Sequence, residues 1–371
     1  MLKQFGATYL ILGTCVAAGM LSLPIVTAEY HFLLTAIMII SAWFIMSLGA
    51  WCLLQVNITM PRGANFLSMS QATLGMPAKV ITWFVYLALL YSLICAYLSA
   101  SGDVLQALLQ YAQLTIPRWL ATLITAFMLG YIVYLGIHSV DMTNRFLMST
   151  KFIICMLLIG SLLPFTQVSK LLLGNWNFHW HAWLVIITSF GYASILPSVR
   201  DYLHNDKKQL TRVVFLGSII PMMLYFLWVA VIQGALPRFG SYGLAGMNNS
   251  ANTNSLLMSA MASLTHHDIV KTISIAFISI CFVTGFLSVS TSLMDVLTDG
   301  LKREKQGRHR MGIALIAFLP PIGIVIFDPA IFTRALTYAG YCCLYILVGL
   351  PIAMYVSQTV RKKQYADKRS S

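Results

Sequence analysis

Asp103, Lys151 and Asp295 are ionisable side chains that stand inside long apolar runs of the sequence. Charge at bilayer depth is costly, so such residues mark ion pathways, proton relays or counter-charges for a ligand. Lys151 lies about five residues into its run, which at about 1.5 Å per residue is only some 8 Å from the membrane edge. Its stem can snorkel to the interface; turned inward, its ammonium could carry a proton. Asp295 sits near the end of its run, either as a partner of the basic stretch that follows or as a second proton-coupling group. Thr284 and Ser288, one helical turn apart, could offer hydroxyls to a ligand or bond their own backbone.

Two other runs offer backbone chemistry. The first reads Gly13-Thr14-Cys15-Val16-Ala17-Ala18-Gly19-Met20-Leu21-Ser22-Leu23-Pro24; the other reads Ser189-Phe190-Gly191-Tyr192-Ala193-Ser194-Ile195-Leu196-Pro197. Glycine weakens a helix and proline removes one of its hydrogen bonds. A helix broken in this way presents free N–H groups that hold a carboxylate and free carbonyls that hold an ammonium or a metal cation. Amino acids carry both groups on one carbon, so paired breaks suit a zwitterion. Thr14, Ala17, Ala18 and Gly19 are the candidates at the first break, and Ser189, Phe190, Gly191 and Tyr192 at the second. Phe190 or Tyr192 could stack on an aromatic side chain. Tyr91 and Tyr97 are six residues apart, so at most one of them faces the same site. Tyr97 is the candidate there, and Tyr338 is a candidate gate.

The elements that must position these residues are membrane helices. Apolar residues make up 58% of the 371 and charged residues 9%, against about 25% charged in soluble domains. The apolar runs have the length a helix needs to cross a bilayer. Ten are predicted: 5–27, 33–54, 80–111, 118–137, 146–166, 182–200, 212–235, 269–298, 311–327 and 330–357. They are called spans 1 to 10 below. The two Gly/Pro-interrupted runs are spans 1 and 6, the first of each set of five. Interrupted spans at matching places in two halves point to a binding site between inverted repeats. The halves would be 5–166 and 182–357, with a basic tail at 358–371. The expected fold class is therefore all-α polytopic, with five-plus-five inverted repeats. Polar joints are expected at 55–79, 138–145, 201–211 and 299–310, and a short interfacial helix within 236–268.

Lysine and arginine set the orientation. With the N-terminus in the cytoplasm, eighteen fall on the cytoplasmic side and five outside: Arg118, Lys170, Arg238, Lys271 and Arg334. This asymmetry accounts for the net charge of +13 without a nucleic-acid partner. Both termini are expected in the cytoplasm, with no removed signal peptide. The seven cysteines show no metal-binding spacing, and no cluster of catalytic side chains appears, which argues against a membrane-embedded enzyme. Trp176, His179, Trp180, His181 and Trp183 read as an interfacial aromatic belt, and Glu29, after span 1 at the outer surface, is expected to be solvated. No metal, cofactor or obligate protein partner is expected, only an amino acid substrate and membrane lipid.

Five segments in one order resemble the bacterial aromatic amino acid permeases, the tryptophan and tyrosine carriers. They are the Gly13–Pro24 run, Ala96-Tyr97-Leu98-Ser99-Ala100-Ser101-Gly102, Ser189–Tyr192 with Pro197-Ser198, Pro320-Pro321, and Tyr338-Ala339-Gly340-Tyr341. The resemblance runs from about residue 10 to 355. It implies a LeuT-type fold, an inner-membrane location and proton-coupled uptake of aromatic substrates, with sodium the less expected ion. A lysine at the place of Lys151 in related proton-coupled permeases resembles a built-in substitute for bound sodium. Such permeases carry an eleventh span, whereas this chain stops after the tenth. The same broad family includes serine and threonine carriers, so a hydroxy or small neutral amino acid is the alternative substrate. A sensor that binds without flux is the other alternative.

Overall fold

The computed structural model describes residues 2–135, 137–203, 206–240, 243–248, 250–265, 268–301 and 307–370. Among these residues the chain is helical nearly throughout, with one isolated bridge between Tyr30 and Asn175 as its only β feature. Eight helices are long and apolar enough to cross a membrane: Phe32–Thr59, Met76–Tyr111, Arg118–Leu135, Leu147–Phe165, Trp180–Tyr202, Lys207–Ala235, Ile269–Gly300 and Phe332–Arg361. The pair Gly6–Cys15 and Ala18–Val26 passes the same test as one stretch bent by 47°, and Met311–Phe327 is a shorter apolar helix. These stretches coincide with the ten predicted runs.

Several expected boundaries are corrected. The joint at 138–145 is helical, since the helix that carries span 5 already starts at Ile137; no glycine or proline lies between 138 and 145 to interrupt it. The joint at 55–79 contains a helix, Phe66–Leu74. Asn65 and Ser68 start it with a reciprocal capping box, each side chain accepting from the other's backbone N–H at 2.9 Å. Gly75, at φ +94°, ends that helix and hands over to Pro77 in the first turn of span 3. The stretch 236–268 holds two helices, Leu244–Met247 and Thr253–Thr265. Span 10 passes through a π-helical segment, Leu344–Gly349, and continues as helix to Ser370. The tail is rich in good helix formers, Lys, Arg, Gln and Ala, so nothing in it stops the helix. Within the basic joint at 299–310, residues 302–306 lie outside the described residues.

Span 7 runs beside both halves of span 1 and bonds to it at three levels. The Tyr225 hydroxyl reaches the Cys15 carbonyl at 2.8 Å. The Gln233 amide donates to the Pro24 carbonyl at 3.1 Å and to Thr27 Oγ1 at 2.9 Å. Arg238, just beyond the helix, donates to the Ala28 and Tyr30 carbonyls. Span 2 accompanies span 6 in the same manner. Trp183 Nε1 donates to Ser41 Oγ at 3.0 Å, Tyr192 Oη and Ser47 Oγ share a hydrogen bond at 3.1 Å, and Arg200 donates to the Asn57 and Met60 carbonyls. Each interrupted span is thus held by the second span of the opposite half. The carbonyls at their ends would otherwise be buried without partners.

Proline also decides a contact at the edge of the bundle. Pro320 in span 9 has no N–H, so the carbonyl four residues earlier, Ile316, has no helix partner. The Tyr91 hydroxyl donates to it at 2.7 Å. Tyr91 therefore belongs to the span 3–span 9 contact and not to the site.

Candidate functional site

Span 1 stops being helical at Cys15. Its second half begins at Ala18, with Ala17 extended at φ −146° and ψ −162° as the N-cap. Span 6 stops at Ser189, passes through Phe190 and a 3-10 turn over Gly191–Ile195, and resumes at Leu196. The two breaks touch. A Cβ placed on Gly19 would lie 2.5 Å from Ser189 Oγ and 2.9 Å from Ser189 Cα. Only glycine allows the start of one half-helix to press on the end of the other. Gly191, by contrast, has nothing within 4 Å of where a Cβ would stand. Open space therefore lies on the span 6 side of the junction.

Each first half-helix ends in carbonyls that point out of the helix, and these carry its partial negative charge. Two side chains answer them. Lys151, 1% exposed, donates from Nζ to the Gly13 carbonyl at 3.0 Å. Gly13 leaves room at this contact: a Cβ there would meet the end of the Met148 side chain, one turn before Lys151 on the same face of span 5. The Tyr225 hydroxyl lies 2.8 Å from the Cys15 carbonyl and 2.6 Å from the Ser189 carbonyl. One O–H thus sits between the negative ends of both interrupted helices. Its ring meets Phe190 edge-on, with centroids 4.8 Å apart, and both residues are fully buried.

Lys151 does not snorkel. The thiols of Cys15, Cys155 and Cys281 are within electrostatic range of its amine. No carboxylate pairs with it among the described residues. Its charge is met by the end of the first half of span 1 and by soft sulfur neighbours. Cys281 brings span 8 into the same cluster.

Other expected residues are arranged differently. Thr14 donates to Ile11 of its own helix at 2.7 Å, Thr284 to Ile280 at 2.8 Å and Ser288 to Thr284 at 2.9 Å. These hydroxyl hydrogens serve the backbone, as is usual for Ser and Thr in helices without water. Tyr97 is buried against Gly285, where a Cβ would meet the tyrosine hydroxyl at 2.6 Å. It therefore packs span 3 on span 8 beside the junction. Tyr192 is buried and tied to Ser47. Tyr338 is 59% exposed and outside the buried core, so it does not close over the junction in this state. Asp295 is fourteen residues from Cys281, about 21 Å along a straight helix. It neighbours Tyr86 instead, and the structure does not bring it to Lys151.

Asp103 has a structural explanation. It pairs with Arg118 at 3.2 Å and accepts the backbone N–H groups of Asn254 and Ser255 at 2.8 and 2.9 Å. It thereby caps the start of Thr253–Thr265, whose first N–H groups need an acceptor.

Tyr225 is a site residue that the sequence alone does not single out. The signal that could have found it is a polar tip near the centre of span 7, four residues after Pro221. Among the described residues no three of His, Cys, Asp and Glu converge on a point. His31 stacks on Trp176 at 4.7 Å, and Trp180 meets Trp183 edge-on at 5.4 Å, as an interfacial cluster would.

The family model for the tryptophan/tyrosine permease family matches residues 2–369. Tyrosine-specific transport system 1 of Haemophilus influenzae is 28% identical over 361 residues, covering 95% of this chain and 87% of that one. The tryptophan-specific transport protein of Pseudomonas aeruginosa is 28% identical over 357 residues, covering 94% and 85%. Among solved structures, Mhp1, a nucleobase-cation-symport-1 family transporter in a closed conformation, superposes with a TM-score of 0.54 at 10% identity, covering 90% of this chain and 74% of that one. The manganese transporter of Eremococcus coleocola gives 0.57 at 16% identity, covering 92% and 75%. The fold is therefore LeuT-type, and the expectation of an integral membrane permease rather than an enzyme is met. With a family match across nearly its whole length, the chain belongs to the tryptophan/tyrosine permease family.

Proposed function

We propose that this protein imports aromatic amino acids across the bacterial inner membrane by proton symport with alternating access. The observation that carries the reading is the Lys151 amine on the Gly13 carbonyl, at the interrupted end of span 1. The names of the relatives, tyrosine- and tryptophan-specific transport proteins, support an aromatic substrate. The buried Phe190 ring at the junction supports it too, because an aromatic side chain gains most from a large apolar contact.

The ligand's carboxylate goes to the free N–H groups at the start of the second half of span 1, around Ala18 and Gly19. Its ammonium goes to the carbonyls where Tyr225 now sits, at Cys15 and Ser189. Substrate entry therefore moves the Tyr225 hydroxyl off at least one of them. Lys151 couples the proton. Its ammonium is balanced by a helix end and not by a carboxylate. When the first half of span 1 swings to open the cytoplasmic side, that balance is lost and the proton leaves. Residues 5–166 and 182–357 act as the two inverted halves, supported by the reciprocal pairing of span 7 with span 1 and of span 2 with span 6. Both termini face the cytoplasm, as the distribution of lysine and arginine favours.

The test is uptake into proteoliposomes against a panel of labelled amino acids, with and without an inward proton gradient. Tryptophan, tyrosine or phenylalanine should accumulate only with the gradient. Accumulation of serine or threonine in preference to these would assign the alternative substrate class. Binding without accumulation would make the protein a sensor.

A further inference from the structure

A cavity of about 260 Å³ opens where the outer ends of spans 1, 6 and 10 meet. It lies above the breaks, on the face the charge distribution assigns to the exterior. Its size is just under the roughly 300 Å³ at which small-molecule pockets begin. Glu29, Tyr30, His179, His181, Asn248 and Thr333 line it. We propose that this cavity is a first binding site for the zwitterionic substrate, with the ammonium on Glu29 and Asn248, occupied before the amino acid passes to the breaks. The inference rests on the reading of the chain as an amino acid permease.

The cavity is rich in acceptors that have no donor. The Glu29 carboxylate is exposed and forms no ion pair among the described residues. Asn248 Oδ1 is buried without a hydrogen-bond partner among the described residues, an arrangement that is costly unless something donates to it. Thr333 gives its hydroxyl hydrogen to the Asn248 carbonyl at 3.0 Å, and Thr337, also in the lining, gives its own to the Thr333 carbonyl at 3.0 Å. Both threonine hydroxyl oxygens therefore remain acceptors. Four acceptors around one space call for a ligand with several N–H donors, which an ammonium supplies. A metal ion is a poorer fit, since the two imidazoles and the carboxylate do not converge.

Donors and ring surface line the same space. Burial, and then the neighbouring Glu29 charge, push the Tyr30 hydroxyl above its ordinary range, so it keeps its proton. His179 is the N-cap residue of span 6, but its side chain makes no capping bond and is left to the cavity. Tyr30 and His179 rings lie 6.1 Å apart. They offer N–H and O–H donors for a carboxylate and flat faces for an aromatic side chain.

The wall that carries Glu29 is built rigidly. Arg238, 2% exposed, donates to the carbonyls on both sides of it, Ala28 and Tyr30. Asn175 N–H donates to the Glu29 carbonyl at 2.8 Å, and His31 N–H returns a bond to Asn175 at 2.9 Å. Gly174, at φ +107°, lies flat against this turn, where a Cβ would stand 2.6 Å from the Tyr30 carbonyl carbon. These backbone bonds hold Glu29 at a fixed place at the edge of the cavity.

The test compares wild type with Glu29→Gln and Asn248→Leu by calorimetric titration of the purified proteins with L-tryptophan and by initial-rate uptake in proteoliposomes. Wild type should bind two molecules, the weaker event disappearing in both variants. In uptake, KM should rise roughly tenfold in Glu29→Gln, the loss of one charge-assisted contact, with the effect on KM and not on the maximal rate. Glu29→Asp, which keeps the charge, should recover part of the difference. A single binding event in wild type, or a KM unchanged by both substitutions, overturns the proposal while leaving the permease reading intact. No uptake of any aromatic amino acid by wild type overturns both.

Discussion

The Lys151 amine and the Gly13 carbonyl are hydrogen-bonded at 3.0 Å inside the protein, although the two residues are 138 apart in sequence. The bond ties the one lysine that lies well inside a predicted span to the first interrupted helix. Lysine is a strongly hydrated point charge, and removing it from water needs compensation. Here the compensation is a helix terminus, and in the proposed transport cycle that terminus moves. Position and protonation are thus linked, because shifting one changes the energy of the other.

Tyr225→Phe removes one oxygen and leaves the ring against Phe190. The Cys15 and Ser189 carbonyls then lose a shared donor in a buried place. We expect a loss of about 1–3 kcal/mol in stability, read as a lower melting temperature in detergent. Transport should also change in KM, because the hydroxyl stands where the ammonium is to bind. A variant with wild-type stability and kinetics would show that the two short contacts at Tyr225 carry no weight.

Gly19→Ala forces a methyl against the side chain and the backbone of Ser189. Overpacking of this kind costs about 1–3 kcal/mol. The second substitution Ser189→Gly should recover only part of that, since the clash with the backbone at position 189 remains. Full rescue, or a neutral Gly19→Ala, would mean the breaks are further apart than described.

Asp103→Ala should be among the most destabilising changes outside the junction. It leaves Arg118 buried without its carboxylate and removes the cap of Thr253–Thr265, and breaking a buried pair costs about 3–5 kcal/mol. Asp103→Asn keeps some of the capping and should cost less. Substrate affinity measured on the folded fraction should stay near wild type in both, because Asp103 is held by structure and not by ligand.

Much of this is legible in the sequence, for identifiable reasons. Long apolar runs fix helices in a bilayer because no other element except a closed barrel satisfies the backbone there. Gly191 and Pro197 locate the second break through their local backbone chemistry, whereas span 1 breaks at Val16-Ala17, between Gly13 and Gly19, and Pro24 lies inside its second half. The inward placement of Lys151 is one of two open readings of the sequence, and only the tertiary contact with the Gly13 carbonyl decides it. The spacing of Thr284 and Ser288 cannot say that their hydroxyls bond their own helix. Tyr225 is hidden because its role depends on two carbonyls, at Cys15 and Ser189, that come together only in the folded bundle. The tail after residue 357 reads only as a basic end, and its continuation as helix to Ser370 follows from residues of good helix propensity that carry no break.

An aromatic ligand should protect the purified protein from heat. At a concentration one hundred times Kd, a ligand that binds only the folded state adds about 2.7 kcal/mol. Tryptophan, tyrosine or phenylalanine should raise the melting temperature accordingly, while serine at the same concentration should not. Protection by serine or threonine alone would move the substrate to the small hydroxy amino acids.

Lys151→Ala in proteoliposomes tests the central claim most directly. Uptake of labelled tryptophan is measured with an inward proton gradient, without one, and with a sodium gradient in its place. Wild type should accumulate substrate only with the proton gradient. The variant should lose that accumulation while remaining folded and still binding substrate. Accumulation by Lys151→Ala with the wild-type dependence on pH, or uptake by wild type that requires sodium, would contradict the account.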